Sequence, residues 1–179
     1  MLKLTLCFLT AVFAWTFFEY AMHHWVFHKL KRQTMGKREH MQHHARSGYF
    51  TPLSLKARLA LLGGSLVFGL AWLITDLETA SYFTVFFGLS YCFYERIHYL
   101  THAQAPRNWY GRWARKHHFA HHFHDARTNH GVTSPLWDIV FGTLHTRDVI
   151  RVPRRFVMPW LIDEQGQLQS PFETDYVLR

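Results

Sequence analysis

Cysteine is nearly missing from this sequence. Its two copies, Cys7 and Cys92, each lie inside an apolar run, which excludes a disulfide-stapled scaffold. Charge is also sparse. Only 18% of the 179 residues are Asp, Glu, Lys or Arg, low for a soluble chain of one-domain length. No repeat of solenoid type is visible. Abundant Phe, Trp, Leu and Val, within a hydrophobic share of 49%, exclude disorder. A mean hydropathy of −0.13 therefore averages two unlike populations: long uncharged stretches, and basic, histidine-rich segments between them. The formal net charge of +8 asks for an anionic partner, either nucleic acid or a membrane surface.

The apolar runs choose between the two. Leu4–Met22 holds one charge, Glu19, in nineteen positions; Leu59–Thr75 is seventeen residues without charge, and Thr79–Tyr94 sixteen. At 1.5 Å per residue the middle run covers roughly 26 Å, close to a bilayer core. Extended by a turn into their flanks, the runs predict an all-α integral membrane protein with about three transmembrane helices. The first run also has the position of a secretory signal, but it has a single basic residue, no small-x-small cleavage site and ligand-type histidines directly behind it. With three spans, Lys3 and the Asp76–Thr79 turn fall on one side, and the other 19 of the 20 Lys+Arg on the other, which the positive-inside rule makes cytoplasmic. Gly63, Gly64, Gly69 and Gly88 predict close helix approach. Trp109, Tyr110 and Trp113 stand where interfacial aromatics sit. The expected organisation is a membrane-embedded unit over 1–147 and a cytosolic tail over 148–179 that folds over it.

Fifteen histidines are the most unusual feature of the composition. Thirteen of them fall in four clusters: His23-His24-Trp25-Val26-Phe27-His28, His40-Met41-Gln42-His43-His44, His98-Tyr99-Leu100-Thr101-His102, and His117-His118-Phe119-Ala120-His121-His122 with His124 and Asp125 behind. On a helix, positions i, i+3 and i+4 share a face, so His40, His43 and His44 aim three imidazoles one way, as do His118, His121 and His122. His98 and His102 form an i, i+4 pair. Imidazole is the commonest protein ligand for Fe, Zn, Cu and Ni. His23 and His28 lie about 140° apart on an ideal helix and cannot share one ion from a straight α-helix; they flank a two-metal site if the helix end bends. All four clusters fall on one predicted membrane face, beneath which a cytosolic helical cap would hold a polyhistidine di-metal site. H-E-x-x-H is absent, and Glu95-Arg96-Ile97-His98 has no second copy, so Glu95 is expected either to support a ligand from behind or to pair with Arg96 or Arg115. The clusters hold no Cys, which excludes zinc-finger and iron–sulfur sites.

The order H-x4-H, H-x2-H-H, H-x3-H, H-x2-H-H resembles the fatty acid hydroxylase superfamily of membrane sterol desaturases and lipid hydroxylases. Glu19-Tyr20 before the first cluster, the run Asn129–Asp138 and Phe141-Gly142-Thr143 extend the match over roughly residues 17–145. The resemblance implies His23, His28, His40, His43, His44, His98, His102, His118, His121 and His122 as metal ligands. It implies two metal ions, iron in the active enzyme, with zinc an alternative occupant of purified or crystallised protein. The chemistry implied is hydroxylation or desaturation of an unactivated lipid C–H with O2 and external electrons. Larger relatives carry four spans or a fused cytochrome b5 domain; the expectation here is a separate electron-donor protein, cytochrome b5-like or ferredoxin-like. Asp125, Asn129 and Asp138 are expected to hold ligand tautomers by accepting Nδ1–H bonds. His124 is the expected substitute ligand, and His117, His130 and His145 are further candidates close to the metals. His130 stands where the family often has an aromatic.

An aliphatic C–H offers no acid, carbonyl or leaving group, so a redox metal is the chemistry that suits it. Phe17, Phe18, Phe83, Phe86, Phe87, Tyr91 and Tyr94 are candidates to line a lipid path, or simply to pack helices. A membrane metal transporter or metal-binding protein is the competing reading. It predicts ionisable ligands at mid-span, and the runs carry none there. A nucleic-acid binder is disfavoured because topology accounts for the basic residues and no reading module is present. The lipid and the choice between hydroxylation and desaturation stay open, although the Asn129–Asp138 run favours the lipid hydroxylase/sterol desaturase branch over the carotenoid hydroxylases.

Overall fold

The computed structural model describes all of residues 1–179. Helix α1 (Leu2–Ala21) runs unbroken into a more widely wound π-helical segment, Met22–Lys29. Then follow α2 (Met35–Ala45), α3 (Leu53–Ile74), α4 (Leu77–Ala103), α5 (Trp109–Phe123) and the short α6 (Leu136–Val140). Side-chain caps start three of them. Thr34 accepts the Lys37 amide at 3.1 Å, Asp76 the Thr79 amide at 2.9 Å, and Asn108 the Gly111 amide at 2.8 Å.

Two helices, Leu2–Lys29 and Leu53–Ile74, are long and apolar enough to cross a membrane. The third expected span, α4, is longer than α3, but its Tyr, Thr and Ser make it less apolar. Helix α3 buries none of its residues, so its apolar side chains need a covering other than the protein. At one end of the bundle the Lys3 ammonium reaches Asp76 at 3.1 Å and Glu78 at 2.7 Å, which ties the start of α1 to the α3–α4 turn. The histidines lie at the other end.

Helices α1 and α4 meet through aromatic rings. Trp15 is buried with its ring centroid 5.2 Å from Phe87, 5.6 Å from Tyr91 and 5.7 Å from Tyr94, and Phe8 meets Phe86 at 5.4 Å. Most of the rings weighed as a lipid path are thus occupied in helix packing. The expected close approach at Gly63, Gly64, Gly69 and Gly88 is corrected too, since a Cβ on any of them would meet nothing within 4 Å. Of the three interfacial aromatics, Trp109 is exposed, while Tyr110 donates to the Thr133 carbonyl at 3.0 Å and Trp113 stacks on His117.

The chain is not wholly α. Strands β1 (Ile150–Val152) and β2 (Tyr176–Leu178) pair in parallel, with Ile150 opposite Tyr176. Three residues per strand are too few to register as an alternating pattern in sequence. Ile150, Val152, Met158, Leu161 and Tyr176 form one buried cluster with Phe119 and Ala120 of α5, so residues after 148 fold onto the histidine-bearing helix.

Between α5 and α6 the chain is pinned from two sides. Buried Glu19 of α1 accepts the Val132 amide, the Thr133 amide at 2.8 Å, the Thr133 hydroxyl at 2.6 Å and the Trp15 indole at 3.1 Å. Buried Asp138 of α6 accepts the His130 and Gly131 amides, each at 2.8 Å, and the Thr143 hydroxyl at 2.7 Å. Asn129 takes a left-handed φ of 56°, which Asn tolerates better than most residues. A Cβ on Gly131 would lie 2.0 Å from the Ser134 carbonyl oxygen, so no other residue fits there. Gly131→Ala is expected to cost about 1–3 kcal/mol, the usual cost of overpacking. At roughly 2–4 °C per kcal/mol for a chain of this size, the loss should be measurable in a thermal melt in detergent. An unchanged melting temperature would contradict this account of the loop.

Candidate metal centre

The ten histidines expected as ligands converge at one end of the bundle, in two groups of five. One comprises His23, His28, His40, His44 and His121, and the other His43, His98, His102, His118 and His122. Within each group the available ring nitrogens all lie within 4.8 Å of one another. Donors at roughly 2.1 Å from a common ion stand about 3.0 Å apart at right angles and about 4.2 Å apart across it. In the first group His28 and His40 Nε2 atoms are 2.8 Å apart, His40 and His44 3.0 Å, His23 and His121 3.0 Å, and His44 and His121 3.1 Å. In the second, the His43–His98 and His102–His118 separations are both 2.9 Å. These separations match the edges of a coordination polyhedron.

Main-chain carbonyls fix which nitrogen faces inward. His23 Nδ1–H donates to the His130 carbonyl at 2.5 Å, His121 Nδ1–H to the Thr128 carbonyl at 2.7 Å, and His43 Nδ1–H to the Tyr49 carbonyl at 2.8 Å. A carbonyl only accepts, so each of these Nδ1 atoms carries the proton and each Nε2 carries a bare lone pair. His23 and His121 thus point two lone pairs at each other across 3.0 Å, an arrangement that a shared cation satisfies. The donor set fits a metal ion on its own chemistry.

Local winding accounts for the grouping and corrects two expectations. The Leu30 amide bonds the Trp25 carbonyl, five residues back, at 2.7 Å. This i→i+5 winding stacks residues five apart, which puts His23 and His28 in one group where a straight α-helix would part them. The H-x-x-H-H motifs do not aim all three rings at one point. His40 and His44 join the first group and His43 the second; His118 and His122 join the second and His121 the first. Each motif therefore serves both groups, whose shared wall includes His44 stacked on His122 with ring centroids 4.1 Å apart.

The carboxylates expected to hold Nδ1–H groups lie elsewhere. Asp125 pairs with Arg127, and Asp138 bonds His117 Nε2 at 3.2 Å rather than any of the ten. The Asn129 side chain brackets His145, accepting its amide at 2.7 Å and donating to its carbonyl at 2.8 Å. His124 Nε2 accepts the Arg151 amide at 3.0 Å and stands outside both groups. Glu95 pairs with Lys56, not with Arg96 or Arg115. Arg115 instead donates to the carbonyls of Leu100, Gln104 and Gly111 at the α4–α5 junction. His24 and His130 are buried beside the first group, their rings 4.3 Å apart, with His24 stacked on Tyr20. The carbonyls of Tyr49, Thr128 and His130 were invisible to sequence reading, because every residue has one.

Burial keeps the imidazoles neutral. It pushes His43 down to about 4 and His44 to about 3, and lowers His118, His121 and His122 well below the ordinary range, with neighbouring imidazoles adding to the shift in all but His43. For Asp138, burial acts upward, but hydrogen bonds from His117, Thr143 and two amides outweigh it and hold the carboxyl below its usual value. Below about pH 6.5 the unfolded chain binds protons that the folded histidines refuse, so stability falls as pH drops. The metal-free protein should lose melting temperature progressively between about pH 6.5 and 4, and His43→Phe should flatten the slope. A melting temperature constant across that window would contradict burial of neutral imidazoles.

The comparisons with known proteins agree with this geometry. Residues 8–143 match the family model for fatty acid hydroxylase. The Arabidopsis thaliana dihydroceramide fatty acyl 2-hydroxylase is 32% identical over 148 residues, covering 80% of this chain and 61% of that protein. The Schizosaccharomyces pombe ceramide very long chain fatty acid hydroxylase is 34% identical over 149 residues, covering 76% of this chain and 41% of that one. The solved structure of full-length scs7p, with only its hydroxylase domain visible, superposes with a TM-score of 0.63 at 28% identity, over 80% of this chain and 57% of that one. The chain thus spans roughly two fifths to three fifths of the length of these relatives. With its family model matched over most of its length and its histidines gathered in two groups of five, the chain belongs to the fatty acid hydroxylase family.

Proposed function

We propose that this chain is a membrane-bound di-iron oxygenase that hydroxylates the 2-position of a fatty acyl chain in a ceramide-type lipid. The observation that carries the reading is the convergence of ten imidazoles, three of them oriented by main-chain carbonyls, in two adjacent groups of five. The lipid class and the position follow the relatives, two of which are a dihydroceramide fatty acyl 2-hydroxylase and a ceramide very long chain fatty acid hydroxylase. The reaction balances as R–H plus O2, two electrons and two protons giving R–OH and water. The electrons would come from a donor of cytochrome b5 or ferredoxin type.

His23, His28, His40, His44 and His121 would hold one ion, and His43, His98, His102, His118 and His122 the other. Bound there, the metals supply the O2-dependent redox chemistry that no amino-acid side chain offers an aliphatic C–H. The chain's own residues do the rest. The carbonyls of His130, Thr128 and Tyr49 aim Nε2 inward and keep three rings from turning. Phe27 stacks on His40 at 5.1 Å, and Phe50 covers His43 at 5.6 Å, so apolar rings shield each group from water. Asp138 and Glu19 hold the loop that presents the His130 carbonyl.

In the membrane, α1, α3 and α4 would each span, with Lys3 and the α3–α4 turn on the outer side. The histidine end and residues 148–179 would face the cytoplasm, as the basic residues require. Residues 1–147 would form the membrane unit and 148–179 the cytosolic tail. A lipid can then keep its chain in the bilayer while its headgroup-proximal carbons reach the metals.

Expression in a host that lacks acyl 2-hydroxylation, grown under 18O2 and followed by lipid mass spectrometry, tests the reading. A 2-hydroxyacyl lipid carrying one 18O is expected. It should fall by more than the roughly 10–100-fold typical of substitutions outside the ligand sphere when His118→Ala removes a ligand. No oxidised lipid, or hydroxyl oxygen derived from water, would overturn it.

A further inference from the structure

The two histidine groups are steadied from outside by different parts of the chain. In the first group, His23 and His121 are fixed by the His130 and Thr128 carbonyls of the loop between α5 and α6, which Glu19 and Asp138 pin. In the second group only His43 has such a bond, to the Tyr49 carbonyl. The outward Nδ1 atoms of His102 and His118 are buried without a partner. The direction of these two rings therefore rests on where their helix backbones sit.

Residues 150–178 set that backbone. The Trp160 indole N–H donates to the His102 carbonyl at 3.0 Å, at the last turn of α4. Its ring lies 5.6 Å beneath the Arg115 guanidinium, which itself bonds the Leu100 and Gln104 carbonyls of that turn. Phe119 of α5, next to His118, is buried among Ile150, Met158, Leu161 and Tyr176, and its ring meets the edge of His102 at 5.3 Å. A further bond joins the Ser47 hydroxyl to the Phe156 carbonyl at 3.2 Å, two residues from Tyr49, which holds His43. Of the elements these attachments reach, the end of α4 serves the second group alone. At α2 and α5 they fall beside His43 and His118 of that group, although both helices also carry histidines of the first. The attachments also come from beyond residue 143, where the family match ends.

We propose that residues 150–178 are the outer scaffold of the second metal site, with Trp160 as its positioning residue. The tail sets how tightly His43, His98, His102, His118 and His122 hold an ion, while the first site answers to the loop before α6. This rests on reading the two groups as metal sites.

The test is Co(II) titration of the metal-stripped full chain in detergent, followed by its visible ligand-field bands. Wild type should fill two sites. Trp160→Phe keeps an aromatic ring beside Phe172 and Tyr176 but loses the N–H; it should weaken one step about ten-fold and leave the other in place. The effect should persist in a His40→Ala background and vanish in a His98→Ala background. Ser47→Ala, at a partly exposed position outside the core, should weaken the same step if Trp160→Phe fails to fold. Equal weakening of both steps, or of neither, overturns the proposal. Wild type that takes up no cobalt overturns the metal-site reading itself, and the proposal with it.

Discussion

His23 and His121 point bare Nε2 lone pairs at each other across 3.0 Å because carbonyls claim the proton on the far side of each ring. Lone pairs at that distance repel unless a cation lies among them, and the surrounding structure keeps them there. The bonds to the His130 and Thr128 carbonyls are possible because Glu19 and Asp138 clamp the loop that carries them. That loop can turn because Gly131 has no side chain. Burial then prevents His121 from escaping the repulsion by protonation, since a charged imidazole in this setting loses its hydration without gaining a carboxylate. Loop, buried acids and neutral rings form one connected arrangement, whose internal repulsion a bound cation would relieve.

Helix phase does the sorting. An α-helix places i and i+4 on one face and i+3 slightly to one side, so each H-x-x-H-H motif separates its members into a pair and a single ring. Helices α2 and α5 each give a pair to one group and a single histidine to the other. The π-helical turn after α1 supplies the remaining adjustment and brings a five-residue spacing into register. Two sites built from shared helices must be neighbours, as the stacked rings of His44 and His122 attest.

Much of this was legible in the sequence. The four histidine clusters, their placement at one end of the bundle and the turn between α3 and α4 follow from spacing and from the apolar runs, while the set of ten is what the family resemblance implies. What escaped did so for physical reasons. Winding is a backbone property, so the grouping of His23 with His28 could not be read from residue identity. Orientation of the rings by carbonyls leaves no mark in sequence, whereas the side chains that do stand out there, Asp125, Asn129 and Asp138, bond the loop backbone instead. Lys56 as the partner of Glu95 depends on how α3 crosses α4, and 39 residues separate the two. Small residues imply close packing only where a neighbour is present, which is not so at Gly63, Gly64, Gly69 or Gly88. The strand pair of the tail is built from segments too short for a period to register.

The central claim is that each group of five holds one ion. Anomalous diffraction from crystals of the full chain loaded with iron or cobalt tests it most directly. The account predicts two peaks, one enclosed by His23, His28, His40, His44 and His121 and the other by His43, His98, His102, His118 and His122. A single peak between the groups, or peaks at His124 or His145 instead, would contradict it.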